Sequence, residues 1–558
     1  MNNLSRKTVL VLVAMFALVL ASWTVSASAP AIEFPLDNEQ YINTYLVANP
    51  SSLDISLRSD SYSNTVIINT MEGLIRMEER EGEYFQAPGD AYKWESNEDG
   101  TVWTFYLGDN KWEDGVPVTA HDYVYSLRRS SLPETGSPNS YFLAPLKNFA
   151  AVNAGEMPIE ELGVKALDDK TLELTLNEPL PSFLSMIDAT IYYPQRQDKV
   201  EEWGERYGSE AQYTISNGPF KLSRWVHNSV VEVVKNDQYW DAENVNLERV
   251  TWSIMPDETT YYNAFESGEI DFVGTGAQEW IDRFQRRNDV TYNSYTSATI
   301  TYAFFNAQDE LFQNANIRKA FMLAIDREDI NEMAFGGLRV PTYGWVVPTI
   351  SVGNTNYREA AGDIIQEMID ELKAEGKTAK DLLLQGMQEL GLGNDPSSLR
   401  ITFNLAGTDQ WFRNLGEYLQ QVYGYELGVN LQINFSEWGI FYDNVQKGNY
   451  QIGFMAWGAY YNDPYDVLSL FVSDYDMIET GWVNKEYDEL IFKAAVEMDE
   501  AKRLDYYIQA ENILLRDEAV ASPLATSRVN QFVKNYVHNY ATLGFSNMGF
   551  KYVYTSGR

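Results

Sequence analysis

The chain has 558 residues, of which 45% are hydrophobic and 14% aromatic. This length predicts two or three domains with sizeable cores, and the composition is not that of a disordered chain. The formal net charge of -38 repels nucleic acid phosphates and anionic lipids, so we expect neither as a partner.

The first segment in chain order has the pattern of a secretory signal peptide. Arg6 and Lys7 form a basic start, residues 8–21 are apolar, and small residues follow. The apolar run is short for a membrane span, and Ala27 completes a small-residue cleavage pattern. We therefore predict a signal peptide over residues 1–27, with an uncleaved membrane anchor as the alternative.

The chain contains no cysteine. An exported protein of this composition forms no disulfide bonds, so packing has to supply its stability. It also has no thiol to which a lipid anchor can be attached. We therefore predict a soluble periplasmic protein that is retained by an outer membrane.

The patterns that follow alternate between strand and helix, which predicts an α/β fold. Residues 101–107 and 170–176 alternate between polar and apolar side chains, as half-buried strands do. Residues 121–130 and 316–335 have apolar side chains at helical spacing, and residues 359–393 are typical of two amphipathic helices.

The sequence offers little for catalysis or metal binding. There is no thiol nucleophile, and the three histidines, His121, His227 and His538, are far apart in sequence. Neither a complete nucleotide-binding glycine pattern nor a serine elbow is present. We therefore predict no catalytic residue, no metal site and no cofactor. Paired carboxylates among the 80 acidic residues leave one rival class, a secreted acid-carboxylate hydrolase.

Residues 100–129 read GTVWTFYLGDNKWEDGVPVTAHDYVYSLRR. Asp114 and Gly115 suit a turn, Thr119 suits the N-cap of a helix, and Asp122 falls in the first turn of that helix, where negative charge is favourable. The stretch closely resembles the signature of the peptide- and nickel-type solute-binding proteins that feed ABC importers. Its physical content is structural, so it indicates the fold rather than the ligand.

Further blocks match the same family in the same order, over essentially the whole mature chain. The chain therefore resembles an extracytoplasmic solute-binding protein of the peptide/nickel ABC transporter family, of the oligopeptide-binding type. The further blocks are residues 53–77, 164–184, 216–241, 264–272 and 305–328.

The resemblance implies a bilobal periplasmic-binding-protein type II fold. In this fold, crossing strands join two α/β lobes, and an extra domain is inserted in the first lobe. The implied bounds are residues 33–57, 191–280 and 521–558 for lobe I, residues 58–190 for the inserted domain, and residues 281–520 for lobe II.

Residues 455–464 read MAWGAYYNDP and contain no nucleophile. In relatives that bind peptides, the corresponding stretch is a strand edge that pairs with the backbone of an extended peptide. The resemblance implies one ligand-binding wall here and an opposite wall near the N-terminus. A place in the hydrophobic core is the alternative for the tryptophan. The residues implied for the two walls are Ala456, Trp457 and Gly458, and Ser59, Asp60 and Ser61.

One position departs from the family pattern. Peptide-binding relatives usually have an aspartate three residues after this tryptophan, and it pairs with the free amine of the ligand. This chain has Tyr460 there. A buried ammonium without a partner is costly, so either another acid replaces that aspartate or the ligand has no free amine. Asp60 is the first candidate acid and Asp463 the second.

The resemblance implies a protein that is not an enzyme. It would capture oligopeptides between two lobes and deliver them to the permease subunits of an ABC transporter in the membrane. We expect a monomer that binds no nucleic acid. Another solute, such as an oligosaccharide that stacks on the aromatic side chains, and the secreted hydrolase remain the alternatives.

Overall fold

The computed structural model describes residues 29–80, 83–473, 477–540 and 549–558. The predicted signal peptide, residues 1–27, lies outside the described residues. Strands and helices alternate along the described chain, so the predicted α/β class is confirmed.

The strands of the described chain are numbered β1 to β21. Two of them are 16 and 14 residues long, whereas the other described strands have at most seven residues. In chain order the strands are β1 (Tyr41–Leu46), β2 (Ile75–Arg80), β3 (Glu83–Pro88), β4 (Ala91–Ser96), β5 (Val102–Leu107), β6 (Val164–Asp168), β7 (Thr171–Thr175), β8 (Phe220–Val226), β9 (Val230–Lys235), β10 (Arg249–Ile254), β11 (Phe272–Gly274), β12 (Val290–Phe305), β13 (Arg339–Pro341), β14 (Ser351–Val352), β15 (Thr355–Asn356), β16 (Arg400–Leu405), β17 (Asn430–Phe435), β18 (Ile452–Gly458), β19 (Ala521–Lys534), β20 (Val537–His538) and β21 (Tyr554–Thr555).

The α-helices of the described chain are numbered α1 to α17. Many begin at an Asp or Asn whose side chain accepts a free N–H of the first turn, as Asp409 does from Trp411 and Phe412. In chain order the helices are α1 (Ser61–Thr70), α2 (Ala120–Ser131), α3 (Phe149–Asn153), α4 (Phe183–Met186), α5 (Gln197–Trp203), α6 (Glu258–Ser267), α7 (Gln278–Gln285), α8 (Ala315–Leu323), α9 (Arg327–Ala334), α10 (Tyr357–Ala361), α11 (Ile364–Ala374), α12 (Ala379–Glu389), α13 (Gln410–Glu426), α14 (Trp438–Gln446), α15 (Pro464–Leu468), α16 (Lys485–Val496) and α17 (Glu500–Asn512).

Two four-stranded sheets lie in the first half of the chain. One has the order β1-β10-β9-β8, with β1 parallel to β10, and Val231 and Trp252 are in its core. The other has the order β4-β5-β7-β6, is antiparallel, and packs Phe105 and Leu172 with α2. Each sheet has a separate hydrophobic core, so this half of the chain contains two packing units.

The largest sheet has the order β11-β19-β12-β18-β16-β17, with β13 beside β19. Side chains of β12 alternate between two cores, with Tyr302 and Phe304 in one and Ala303 and Phe305 in the other. This alternation is the consequence of the two-residue period of a strand. Both faces of the sheet are therefore buried along this part of β12.

The two long strands, β12 and β19, pair antiparallel over most of their length. The start of β12 pairs with the end of β19, next to β11. The end of β12 pairs with the start of β19 and, on its other side, with β18. The β12–β19 ladder has two register shifts, between Thr296 and Ile300 and between Thr301 and Tyr302.

The signature stretch folds as the sequence predicts. Thr119 and Asp122 form a capping box at the start of α2, and Asp122 Oδ2 accepts the Thr119 N–H at 2.8 Å. Gly115 has a φ of 85°, which residues with a Cβ atom rarely adopt. The turn therefore requires the glycine that the sequence has there.

The structure gives the bounds of two helical predictions. The pattern over residues 316–335 forms two helices, α8 and α9, because Asp326 caps the second by accepting the N–H groups of Glu328 and Asp329. The pattern over residues 359–393 forms the two predicted amphipathic helices, α11 and α12, after the last residues of the short α10.

Candidate functional site

Strand β18 is paired along one side and only partly along the other. β12 pairs antiparallel with the whole of β18. β16 runs parallel to β18 on its other side but pairs only with Ile452 and Gly453. No described strand covers that side of residues 454–458, which we call the open edge. Its backbone donors and acceptors are available to another extended chain.

Small residues keep the open edge accessible. The first half of β18, Ile452–Met455, is buried and anchors the strand in the sheet. Ala456 and Gly458 are exposed. A Cβ added to Gly458 would meet only Thr299 Oγ1 within 4 Å, at 3.4 Å. The sequence therefore places bulky apolar anchors before small residues, and the backbone of the second half stays uncovered.

Trp457 lies at the border of the core. Its ring is half-buried and packs against the hydrophobic core on one face of the large sheet. Its Nε1 is buried and has no hydrogen-bond partner among the described residues. The Tyr460 ring lies edge-on to it, with the ring centres 6.3 Å apart. The side chain thus packs as a core residue does, while its backbone belongs to the open edge.

Tyr460 lies where the two predicted walls approach each other. It is 57% exposed, and its ring is edge-on to Phe142, with 5.3 Å between the centres. Burial lowers the pKa of Arg58, and the Tyr460 phenol is among the groups that oppose this effect. Since Arg58 immediately precedes Ser59, the structure brings the two segments to the same region.

The segment around Asp60 forms the start of a helix. Ser59 and Ser61 are exposed, whereas Asp60 caps α1 by accepting the Ser63 N–H at 2.7 Å and the Ser63 hydroxyl at 2.8 Å. The Ser51 hydroxyl donates to the same carboxylate. Burial alone would raise the pKa of Asp60, but these hydrogen bonds lower it below its usual value. The carboxylate of Asp60 therefore already accepts hydrogen bonds from two neighbouring serines.

Asp463 has a structural role as well. It is 3% exposed and caps α15, accepting the Tyr465 N–H at 2.9 Å and the Tyr507 hydroxyl at 2.9 Å. Burial raises its pKa. Both acids that the sequence suggested as partners of a ligand amine thus have protein partners, and their role toward a ligand stays a prediction.

Asp466 is a further acid beside Tyr460, which the sequence interpretation did not consider. Its Oδ2 accepts the Tyr460 N–H at 2.7 Å, and the side chain is half-buried. Burial raises its pKa to about 7, and the nearby charge of Asp463 adds to this effect. The signal was the Asn-Asp-Pro turn, because Pro464 starts α15 and places Asp466 in its first turn, facing back toward Tyr460.

The described residues contain no group of three His, Asp or Glu side chains that could hold a metal ion. The histidines lie apart. His121 Nε2 is 3.4 Å from Asp169 Oδ1, and His227 Nε2 is 3.1 Å from Glu210 Oε1. His538 stacks on the ring of Tyr554. None of the described helices is long and apolar enough to cross a membrane.

Known proteins resemble this chain along most of its length. Residues 87–479 match the family model described as "Bacterial extracellular solute-binding proteins, family 5 Middle". The dipeptide-binding protein DppE of Bacillus subtilis is 32% identical over 495 residues, which cover 88% of each chain.

Two solved structures resemble it in the same way. The unliganded open form of the periplasmic murein tripeptide-binding protein MppA matches with a TM-score of 0.78 and 25% identity, covering 94% of this chain and 98% of its own. The peptide-bound OppA of Listeria monocytogenes matches with a TM-score of 0.72 and 29% identity, covering 94% of this chain and 100% of its own.

These matches confirm the predicted bilobal type II binding-protein fold with an extra domain in the first lobe. The residue bounds given above for the lobes and the inserted domain stay a prediction. The family model covers more than half of the sequence, and the Bacillus relative extends the match toward both ends. The chain belongs to the bacterial extracellular solute-binding proteins, family 5.

Proposed function

We propose that this protein captures an extended oligopeptide between its two lobes and delivers it to the permease subunits of an ABC importer. The observation that carries the proposal is the open edge of β18. A peptide that pairs with this edge adds a strand to the large sheet and is held by main-chain hydrogen bonds. Because every peptide has the same main chain, one edge can accept varied sequences.

The relatives support a peptide as the ligand. The Bacillus relative is named a dipeptide-binding protein, and the Listeria structure is described as bound to peptide. Both match this chain over nearly their whole length, so this chain contains the same lobes. In this proposal Ala456 and Gly458 contact the ligand through their backbone, and Asp60 and Asp463 have a structural role. The proposed wall residues are Ser59, Asp60, Ser61, Ala456, Trp457, Gly458, Tyr460 and Asp463.

A ligand amine would need an acid near Tyr460. Asp466 contacts the Tyr460 backbone and is only half-buried, whereas Asp463 is fully enclosed. An ammonium that approaches Asp466 stabilises its ionised form, because opposite charges favour each other more strongly where water is excluded. We therefore propose Asp466 as the counter-ion of a free ligand amine.

Closure of the lobes around the ligand would bend the two long strands. The β12–β19 ladder has its register shifts between Thr296 and Tyr302, close to the residues that pair with the open edge. Irregular ladders deform more easily than regular ones, so we place the hinge there. A ligand that contacts both lobes shifts the population toward the closed form.

We also propose that the protein is exported and catalyses no reaction. The family is described as extracellular, which supports export. In this proposal the signal peptide is cleaved after Ala27, the mature chain is periplasmic without a lipid anchor, and it works as a monomer. Binding followed by release of an unchanged ligand separates this function from that of a hydrolase.

The test is native mass spectrometry of the protein purified from its own host, followed by calorimetric titration with short peptides and with oligosaccharides. The proposal requires peptide masses in the purified protein or saturable heats with peptides. Saturable binding of oligosaccharides but not of peptides would show that the captured solute is an oligosaccharide. Conversion of the ligand during the titration would instead show a hydrolase.

A further inference from the structure

Arg58 lies directly before residues 59–61, which form the wall opposite the open edge in the proposed site. Its side chain is half-buried, and its Nε donates to Thr190 Oγ1 at 2.7 Å. Its carbonyl oxygen accepts a hydrogen bond from Asn139 Nδ2 at 2.9 Å. Hydrogen bonds therefore hold both the backbone and the side chain of Arg58 in place.

The guanidinium of Arg58 forms no ion pair within the described chain. Its Nη1 and Nη2 have no hydrogen-bond partner there, and both nitrogens are accessible to solvent. The nearby carboxylate of Asp60 instead accepts hydrogen bonds from two serines. Arg129 is half-buried as well, but its two terminal nitrogens donate to Asp54. Arg58 thus keeps a charge and donors for a group from outside the protein.

The loop that follows β18 packs on the residues that hold Arg58. Tyr461 is buried in the same hydrophobic cluster as Tyr192. Burial raises the pKa of Tyr461, and the phenol of Tyr192 is among the groups that add to this effect, so the two side chains are neighbours. Residues 190–192 form one turn, which begins at the threonine bonded to Arg58. The residue after Tyr460 therefore lies against the turn that positions Arg58.

Aromatic side chains border the guanidinium on the side of the open edge. Tyr141 and Tyr460 are 44% and 57% exposed, and their ring centres lie 4.4 Å and 5.3 Å from that of Phe142. Burial lowers the pKa of Arg58, and both phenols are among the groups that oppose this effect, so both lie near it. The guanidinium is therefore part of the surface that surrounds Tyr460.

A ligand strand at the open edge ends beside this surface. Tyr460 is only two residues beyond Gly458, the last residue of β18. Asp466 lies at the backbone N–H of Tyr460, at 2.7 Å, whereas Arg58 lies toward the phenol. An anion and a cation therefore flank the place proposed for the ligand amine. A peptide whose first residue is acidic presents the matching charges, an ammonium and a carboxylate, from a single Cα atom.

We propose that Arg58 binds the side-chain carboxylate of an acidic first residue of the ligand, so that the protein prefers oligopeptides that begin with Asp or Glu. This inference rests on the proposed function, because it assumes a peptide at the open edge whose amine lies near Tyr460. The chemistry is a charge-assisted pair between a guanidinium and a carboxylate, which is stronger than a neutral hydrogen bond. Such a preference would be unexpected from the net charge of -38, which repels acidic peptides at long range.

The experiment compares peptides before it changes the protein. Short alanine peptides with a free amine carry Glu, Gln or Lys as their first residue or as their third. Calorimetry at physiological ionic strength, where charges are screened beyond about 8 Å, gives their affinities. With the substitution at the first residue, Glu should bind about tenfold more tightly than Gln, and Lys more weakly than both. At the third residue the three affinities should agree within about threefold, because no cation is placed there.

Variants then assign the preference to one residue. Arg58→Gln should abolish the preference for Glu over Gln by weakening the binding of the Glu peptide, and retained binding of the Gln peptide shows that the variant is folded. Arg58→Lys keeps the charge but not the planar fork, so the preference should decrease without disappearing. The matched control is Arg224→Gln, which removes the same charge from an exposed position in β8. That variant should keep the full preference.

The outcomes separate the two proposals. Equal affinities for peptides that begin with Glu and with Gln would overturn the role of Arg58 and leave peptide capture intact. A preference that persists in Arg58→Gln, or one that appears only at the third residue, would overturn this inference as well. Absence of binding by every peptide would overturn peptide capture itself.

Discussion

Arg129 and Asp54 form a forked ion pair, with Nη1 2.7 Å from Oδ1 and Nη2 2.6 Å from Oδ2. Asp54 is 1% exposed, and Gln195 Nε2 also donates to its Oδ1 at 3.2 Å. The pair joins the last residue of the signature stretch to a segment 75 residues earlier in the chain. This contact holds α2 against the segment that leads to Ser59 and α1.

The ion pair predicts a large loss of stability when one partner is removed. Arg129→Met should lower the free energy of unfolding by about 3–5 kcal/mol, because Asp54 would remain buried without its counter-ion. Urea unfolding followed by circular dichroism measures the change. Arg283→Met is the control, since its pair with Glu266 is more exposed and is expected to contribute about 0–1 kcal/mol. Similar losses in both variants would contradict a special role for the pair.

Asp466 predicts a pH-dependent affinity for peptides with a free amine. Its pKa is raised to about 7 by burial, so it is partly protonated at neutral pH in the free protein. An ammonium binds the ionised form, so the affinity should fall as the pH falls below about 7, by about tenfold per pH unit at the acid end. Calorimetry between about pH 8 and about pH 5.5 tests this.

Two controls accompany that titration. Asp466→Asn should weaken the binding of free-amine peptides at about pH 7.5 by about tenfold and remove the loss of affinity toward acid pH. The affinity of N-acetylated peptides should change neither with pH nor with the substitution. A free-amine peptide that binds Asp466→Asn as tightly as the unmodified protein would show that the amine lies elsewhere, or that the ligand needs none.

The open edge predicts that only every second backbone N–H of the ligand contributes to its affinity. In a strand added to a sheet edge, every second N–H points to the protein. Methylation of such an amide nitrogen should weaken binding by about tenfold, because it removes a donor and adds a clash, while the amides between them should tolerate it. Calorimetry on a series of singly N-methylated peptides measures the pattern. Equal tolerance at every position would argue against strand addition.

Closure predicts a change in shape and in fluorescence. Peptide binding should reduce the radius of gyration in small-angle scattering, and it should change tryptophan emission because Trp457 is half-buried beside the open edge. On peptide binding, the Trp457→Phe variant should show little of the emission change but the same decrease in the radius of gyration. If saturating peptide changes neither signal, the lobes do not close on it.

The N-terminus provides a separate prediction about location. The mature protein should begin between Ser28 and Ile32 and be released by osmotic shock, because a cleaved chain without cysteine has no anchor. N-terminal sequencing of the shock fluid measures this. Recovery of the protein in washed membranes with Met1 intact would indicate an uncleaved anchor instead.

The fold was more accessible from the sequence than the site. Local chemistry determines a capping box, so Thr119 and Asp122 were sufficient to predict the start of α2. Apolar spacing continues through the break between α8 and α9, where Asp326 turns its side chain to cap the second helix. A pattern of apolar residues does not show which polar side chain will compete for the backbone.

The acids near Tyr460 show what the sequence leaves open about the site. Asp60 and Asp463 were suggested by their positions in the matched segments, yet both accept hydrogen bonds from nearby serine, tyrosine or backbone groups. Asp466 comes to lie beside Tyr460 through a contact across a turn, where its Oδ2 accepts the Tyr460 N–H. Whether a charge is free for a ligand depends on such partners, which only the folded chain brings together.

The uncovered side of β18 also bears on how the protein behaves before it finds a ligand. A strand edge that accepts a peptide can equally accept a strand of a second molecule, which is how many proteins begin to aggregate. The exposed run is short, and the net charge of -38 keeps two copies apart. Salt weakens that repulsion but not the backbone pairing. The empty protein would then depend on its charge for colloidal stability, and a peptide bound at the edge would protect it.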